Sequence, residues 1–238
     1  MGIRPLRKPR PPGLAAADAV EQFLDALGLP EGVRAGESLR GTARRVAEAW
    51  LEDLVDGYGR DPAQILAETM PASGRELVAV TGIDFHSVCP HHLLPSRGLA
   101  HVGYVPGGRV VGFGQIVKLV DCLAHRLVLE EDLARQIAEA LVRHLGARGA
   151  ACVLDAEQLC MTVRGSRRPR ARAHAQAFAG TMVRDRGLQR RFLDLVRAPP
   201  RASGGRSGAK APRLRRMRRE AEAKRGRASG PRAGRSRR

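Results

Sequence analysis

Long apolar runs, aromatic residues and cysteines are scarce in this chain of 238 residues, which has eight aromatic residues and four cysteines. No uncharged apolar run approaches the roughly 20 residues that cross a bilayer, which excludes a transmembrane protein. The basic N-terminus leads into no apolar signal segment, and Leu6 stands where a myristoylation motif requires Ser or Thr. We therefore expect a cytoplasmic protein without a membrane partner, in a reducing compartment where cysteines bind metals or do chemistry more often than they form disulfides.

Several common nucleotide-binding and hydrolase motifs are also missing. The chain contains no phosphate-binding loop of the P-loop type and no Gly-x-Ser-x-Gly nucleophile elbow. The short glycine pair around Phe113 does not make a dinucleotide-binding fingerprint. These absences exclude P-loop nucleotide hydrolases, dinucleotide-dependent enzymes of the Rossmann type and serine hydrolases built on that elbow.

The formal net charge of +18 is concentrated at the two ends of the chain. Residues 199–238 hold 15 Lys and Arg against two acidic residues, residues 1–17 hold four basic residues and no acid, and the remainder carries only +1. Blocks of like charge are typical of disordered segments. We expect a disordered basic arm at 1–17 and a disordered basic tail at 199–238. The tail has no aromatic residue on which a base could stack, so nucleic acid is expected to bind it only non-specifically.

Between these ends, the apolar spacing predicts helices first and strands later. A helical period begins at Asp18 and again at Thr42, which assigns residues 18–72 as an N-terminal helical segment. From Glu76 the period changes to that of strands, with a hairpin turn expected at Gly107-Gly108. Two helices, two further strands and a last helix follow. The order ββααββ predicts an α+β fold with an antiparallel sheet over residues 73–198.

The densest cluster of reactive side chains is the stretch CPHHLLP, which contains Cys89, His91 and His92. Cys89 and His92 lie three positions apart in a turn at a strand end, so both can reach one ion, and Zn²⁺ prefers thiolate and imidazole. Cys160, on a distant strand, is the candidate third ligand. Cys152 lies on that same strand about 26 Å away at the usual rise and cannot share the ion. Three ligands and an open fourth position are typical of catalytic zinc, although buried cysteines also serve simply as small apolar residues.

Four stretches together resemble the GTP cyclohydrolase I family in order and spacing, across about Thr42 to Phe192: TARRVAEAW, VCPHHLLPSRGLAHVGYVPGGRVVGF, LVLEEDLARQIAEAL and DAEQLCMTVRG. The resemblance implies the tunnelling fold, with helices on one face of the sheet and residues 73–198 as the catalytic domain. It implies zinc-dependent conversion of GTP to 7,8-dihydroneopterin triphosphate with release of formate, the first step of tetrahydrofolate biosynthesis. It also implies a homo-oligomer, usually a decamer, with active sites between subunits.

The resemblance assigns roles to residues of the cysteine–histidine cluster. Cys89, His92 and Cys160 match the zinc ligands of the family. His91 matches a histidine that the family places beside the substrate for proton transfer. Imidazole suits this role because it exchanges protons near neutral pH.

The resemblance also assigns the residues that bind the nucleotide. Glu131 matches the glutamate that binds the guanine edge, because a carboxylate accepts paired hydrogen bonds from the ring N–H and the amino group. Arg164 and Arg45 match arginines that hold the triphosphate, and Lys118 stands in place of a third arginine. The alternatives are a charge favoured by the helix dipole for Glu131 and a solvated helix face for Arg45.

The chain departs from the family at several of these positions. Gln158 replaces a second histidine, and an amide cannot exchange protons as imidazole does. The period of a strand predicts that positions 158 and 160 face the same site. Gly114 and Gln115 replace a serine and a lysine of the phosphate-binding set. Four arginines between positions 167 and 172 are candidates to replace the lost positive charge.

Three alternative functions follow from these departures and from the charged ends. The altered phosphate residues favour a diverged zinc hydrolase of the same fold that acts on another purine nucleotide or on a pterin. The glutamine at position 158 favours a catalytically weak relative that acts as a binding or regulatory protein. A nucleic-acid-binding protein would use the basic tails, and deleting residues 199–238 would abolish that role.

Overall fold

The computed structural model describes residues 12–165 and 167–198, so the expected tail at 199–238 and residues 1–11 of the expected arm lie outside the described residues. The first helix, α1, runs over Pro12–Ala26 and therefore includes residues that the sequence analysis placed in the arm. This corrects the expected end of the arm at residue 17. Proline is favoured in the first turn of a helix, and the alanines at 15–17 have the highest helix propensity, so the helix begins before Asp18.

The predicted N-terminal helical segment, residues 18–72, contains several short helices but ends in a strand, β1 (Thr69–Pro71), which corrects its assignment as wholly helical. The short helices are α2 (Glu31–Arg34), α3 (Thr42–Ala49), a π-helical turn (Trp50–Leu54) and α4 (Pro62–Ile65), with 3-10 turns at Glu37–Leu39 and Asp56–Gly59. Helix α1 packs against α3. Arg34 of α2 donates hydrogen bonds to Glu21 at 2.5 Å and to Asp25 at 2.7 Å, which ties α2 to α1.

The central element is a four-stranded antiparallel sheet with the strand order β2-β3-β5-β6. Its strands are β2 (Val78–Val88), β3 (Pro95–Val105), β5 (Gly149–Gln158) and β6 (Ala173–Gly180). Helices α5 (Phe113–Ala124) and α6 (Glu130–Leu145) follow one another between β3 and β5 along the chain. The predicted order ββααββ and the α+β fold class are confirmed.

The hairpin expected at Gly107-Gly108 is wrong, because the strand after this turn does not pair with the strand before it. Strand β4 (Arg109–Val111) pairs with β1 (Thr69–Pro71) in a separate two-stranded sheet. It does not pair with β3, because β3 already has β2 on one side and β5 on the other. A turn with two glycines reverses the chain, but it cannot decide which strand has a free edge.

Alternation along the strands divides the sheet into two faces. One face carries Val102 and Leu154, which pack with Leu119, Ile137 and other buried residues of α5 and α6. This confirms a helix pair on one face of the sheet. The other face carries Ala151, on which the last helix α8 (Arg186–Arg197) packs through its buried Phe192.

Two short elements complete the described chain, namely helix α7 (Leu159–Thr162) and a 3-10 turn at Thr181–Val183. The described residues belong to one compact unit, and the segments 18–72 and 73–198 are both parts of it. None of the described helices combines the length and the apolar character that a membrane span requires.

Candidate active site

A tight turn between β2 and β3 holds two of the predicted metal ligands. The backbone N–H of Cys89 donates to the carbonyl of Leu94 at 3.0 Å, and that of Leu93 donates to the carbonyl of Cys89 at 2.9 Å. Leu93 has a positive φ of 52°, which lets the chain reverse sharply after the strand. The turn places Cys89 Sγ and His92 Nδ1 4.0 Å apart.

The third predicted ligand reaches this turn through the pairing of β3 with β5. Ser96, near the start of β3, is the partner of Gln158, the last residue of β5. The chain then enters α7, in which Cys160 is the second residue. The sequence analysis placed Cys160 on a strand, and the structure places it in this short helix. The ligand atoms of Cys89, His92 and Cys160 all lie within 4.8 Å of one another.

The three side chains fit a transition-metal ion. Tetrahedral zinc, with bonds of about 2.0–2.3 Å, holds neighbouring sulfur and nitrogen ligands roughly 3.5–3.8 Å apart. The observed spread of up to 4.8 Å closes with small side-chain movements. Among the described residues, these three are the group of histidine, cysteine and carboxylate side chains that could hold a metal ion.

The electrostatic surroundings of the Cys160 thiol also favour the binding of a cation. Burial raises the pKa of the Cys160 thiol, and the neighbouring Cys89 raises that pKa further, whereas Arg164 lowers it. A bound cation reverses this balance because it stabilises both thiolates. Cys152 is fully buried in the core, away from the cluster, where burial alone raises the pKa of its thiol.

A cavity of about 610 Å³ opens beside the three side chains. Its lining includes His91 and Glu131, so the structure brings these two predicted residues together with the metal cluster. His91 is exposed on the same turn as His92, and Glu131 is exposed in the first turn of α6. His174 of β6 also lines the cavity, although its isolated position in the sequence did not indicate a site.

The three predicted phosphate-binding residues, Arg45, Lys118 and Arg164, all lie outside the lining of this cavity. Arg45 of α3 donates to the carbonyl of Arg40 and to the hydroxyl of Thr42, each at 2.9 Å. Lys118 is exposed on α5. Neither residue is part of the cavity lining. A single described chain therefore does not assemble the whole set of predicted substrate-binding residues.

The arginines near the cluster differ in their surroundings. Arg164 is exposed and close enough to Cys160 to lower the pKa of its thiol. Arg172, one of the four candidates for replacement charge, donates to the Asp155 carboxylate at 2.6 Å. Its charge is therefore already balanced within the chain.

The structure adds a residue that the sequence analysis missed. Glu130 begins α6, lines the cavity and is only 6% exposed. Its Oε2 accepts a hydrogen bond from Gln158 Nε2, while Oε1 is buried and has no hydrogen-bond partner among the described residues. Burial raises the pKa of the Glu130 carboxyl, and the hydrogen bond from Gln158 lowers it in part. The sequence shows two adjacent glutamates, but its periodicity does not tell which of them is buried.

The prediction that Gln158 faces the site agrees with its surroundings in the structure. Gln158 lines the cavity, and the Cys160 thiol donates to its Oε1 at 3.9 Å. The two-residue period of a strand correctly predicted that Gln158 lies beside Cys160, although the strand ends at Gln158 itself. Two cysteines and a histidine therefore meet at one end of an antiparallel sheet, beside a cavity, in an α+β fold. This combination defines the class of protein as one that has a candidate metal centre of catalytic type.

Comparison with known proteins identifies the family within that class. The model of the family described as GTP cyclohydrolase I matches residues 16–197. A protein named GTP cyclohydrolase 1 from Chromobacterium violaceum is 42% identical over 195 residues, which cover 81% of this chain and 93% of that protein. A protein of the same name from Mycobacteroides abscessus is 43% identical, over 76% of this chain and 88% of that protein. Another, from Dehalococcoides mccartyi, is 37% identical, over 76% of this chain and 95% of that protein. The chain belongs to the GTP cyclohydrolase I family, which confirms the resemblance.

Proposed function

We propose that this chain converts GTP to 7,8-dihydroneopterin triphosphate with release of formate, the first step of tetrahydrofolate biosynthesis. One observation carries the proposal: in a chain of this family, Cys89, His92 and Cys160 converge within 4.8 Å beside the cavity. Two thiolates and an imidazole suit zinc, so we propose that these residues hold Zn²⁺. Zinc in such a site supplies Lewis-acid activation of water near neutral pH.

Two further residues of the cavity would serve the substrate. His91 is exposed on the turn that carries the metal ligands, so its imidazole can accept and return protons as the guanine ring opens. The exposed carboxylate of Glu131 can accept hydrogen bonds from the guanine N–H and amino groups. Arg164 adds positive charge near Cys160, where a phosphate group can bind.

We propose that the active protein is a homo-oligomer, and a decamer in particular. Arg45 and Lys118 lie outside the cavity of their own chain, so their proposed contact with the triphosphate requires a second copy. Strands β2 and β6 are the outer strands of the described sheet, and each has one side without a strand partner there. Such edges allow the sheets of neighbouring copies to join.

The proposal is tested with the purified, zinc-replete protein and GTP. We expect one zinc per chain by elemental analysis, together with formate and a fluorescent oxidised pterin after incubation. Replacement Cys160→Ser should abolish both metal retention and product. A pure protein without transition metal, or full turnover in the serine variant, would overturn the proposal.

A second candidate substrate class follows from the altered phosphate residues. Gln115 stands where the family has a lysine, and its amide donates to Glu68 Oε2 at 3.3 Å. Gly114 beside it offers no side chain at all. This arrangement favours a diverged hydrolase acting on another purine nucleotide or a pterin. Formate release measured across guanine and adenine nucleotides distinguishes an enzyme that acts on GTP from such a diverged hydrolase, since the diverged enzyme would prefer a substrate other than GTP.

A further inference from the structure

The amide of Gln158 lies between two groups, the Glu130 carboxyl group and the Cys160 sulfur. On one side, its Nε2 donates to Glu130 Oε2. On the other side, its Oε1 lies 3.9 Å from Cys160 Sγ. Because Glu130 Oε2 acts as an acceptor, it pairs with the nitrogen end of the amide and turns the oxygen end toward Cys160.

Among the described residues, Gln158 donates the side-chain hydrogen bond to the Glu130 carboxyl group, and Arg172 adds a favourable positive charge nearby. Glu130 is 6% exposed, and its second oxygen, Oε1, is buried without a hydrogen-bond partner in the part of the chain that the structure describes. A buried carboxyl group with one unpaired oxygen costs folding free energy. Its hydrogen bond with Gln158 offsets part of this cost.

We propose that Glu130 is a positioning residue for the metal-binding cluster, which it serves by holding the Gln158 amide with its oxygen, rather than its nitrogen, toward Cys160. This inference rests on the proposed function, since it assigns a role beside the same site. An amide oxygen turned toward the cluster presents the negative end of its dipole to a cation. It can also accept a hydrogen bond from solvent or substrate in the cavity.

The reversed amide would have the opposite effect. Its N–H groups would donate to the Cys160 sulfur, and a hydrogen-bonded thiolate is a weaker electron donor to a metal. Replacement Glu130→Gln permits this reversal, because an amide side chain at 130 can pair with either end of Gln158. The size and shape of the side chain stay nearly the same.

The first test measures the orientation without any turnover. The protein is loaded with Co²⁺, and the sulfur-to-metal charge-transfer band is recorded. In Glu130→Gln we expect this band to shift to shorter wavelength, because N–H donation stabilises the thiolate lone pairs. Glu131→Gln removes a neighbouring charge that has no hydrogen bond to Gln158, and we expect it to leave the band in place. Glu130→Met, which removes the acceptor and buries readily, is the second variant and should show the same shift as Glu130→Gln.

The second test separates a positioning role from a merely structural one. With GTP, Glu130→Gln should lower kcat about 10- to 100-fold and leave KM within about twofold, as for residues that orient metal ligands. The exposed Glu139 on the same helix provides the control variant Glu139→Gln, which should retain wild-type kcat. In a Gln158→Ala background, Glu130→Gln should cause no further change in kcat or in the Co²⁺ band, because Glu130 acts through Gln158.

The outcomes distinguish this inference from the proposed function. A Co²⁺ band that is unchanged in both Glu130 variants, or an equal additional loss of kcat in the Gln158→Ala background, would overturn the positioning role. A shifted band without any turnover of GTP would support the positioning role and overturn the proposed function. Failure of Co²⁺ to bind would overturn both.

Discussion

The Nδ1 atom of His101 lies 3.3 Å from the backbone nitrogen of Gly82 and accepts its N–H across the pair of strands β2 and β3. The contact sits where the register of this pair shifts, between Val80 and Ile83. Gly82 has a positive φ of 73° there, a conformation that glycine adopts without strain. The imidazole therefore satisfies a backbone donor that the irregular ladder leaves without a strand partner.

This contact predicts a pH dependence of stability. Burial lowers the pKa of His101 in the folded chain, and a protonated Nδ1 could no longer accept from Gly82. The unfolded chain therefore binds a proton more readily. This contribution to stability is fully present above about pH 6.5, the usual pKa, and is lost as the pH falls through the lowered pKa. Chemical denaturation between pH 5 and pH 8 should show this slope, and His101→Gln should flatten it. An unchanged slope in the variant would contradict the assignment.

The buried hydroxyl pair Ser87 and Ser96 provides a prediction about the sheet next to the turn between β2 and β3. Their oxygens lie 2.7 Å apart, and both residues are almost fully buried. Either single replacement by alanine leaves one hydroxyl without its partner and should lower the free energy of unfolding by about 1–3 kcal/mol. The double variant should lose less than the sum of the single losses, as a double-mutant cycle in urea would measure. Additive losses would mean that the two hydroxyls do not interact.

The close approach of α8 to the sheet predicts the effect of a single added methyl group. A Cβ at Gly103 would lie 2.7 Å from the Phe192 ring. Gly103→Ala should therefore destabilise the fold by about 1–3 kcal/mol. In the double variant Gly103→Ala and Phe192→Leu, the smaller leucine side chain should recover part of this lost stability, as measured by thermal unfolding. The proposed metal site is at the opposite end of β3, so zinc stoichiometry should stay unchanged in both variants.

Metal binding is expected to stabilise the folded chain. An ion that binds the folded state alone adds about 2.7 kcal/mol when its free concentration is 100 times its dissociation constant. Zinc should therefore raise Tm in the wild-type protein and fail to do so in Cys89→Ser. Cys122 lies outside the cluster, near the carbonyls of Gly57 and Arg60, and Cys122→Ser is the matched control. A zinc-induced rise in Tm that survives in Cys89→Ser would place the ion elsewhere.

Several features could be predicted because they depend on residues close together in the chain. The ββααββ order follows from local periodicity, and the pair Cys89 and His92 follows from one turn. The helix start at Pro12 was missed because the charged arm dominated the composition of that region. The pairing of β4 was missed because it depends on which strand edges are already occupied.

The amino-acid sequence by itself determined the family, the order of the elements and the identity of the cluster Cys89, His92 and Cys160, because motifs and spacing are properties of the chain. Only the tertiary structure decided that Glu130 is buried against Gln158 while Glu131, which lines the same cavity, is exposed. Both glutamates lie in the first turn of the same helix, so their different surroundings arise from how that helix packs against β5 and β6. Burial and hydrogen-bond partners depend on contacts between segments far apart in sequence, and those contacts exist only once the sheet has formed.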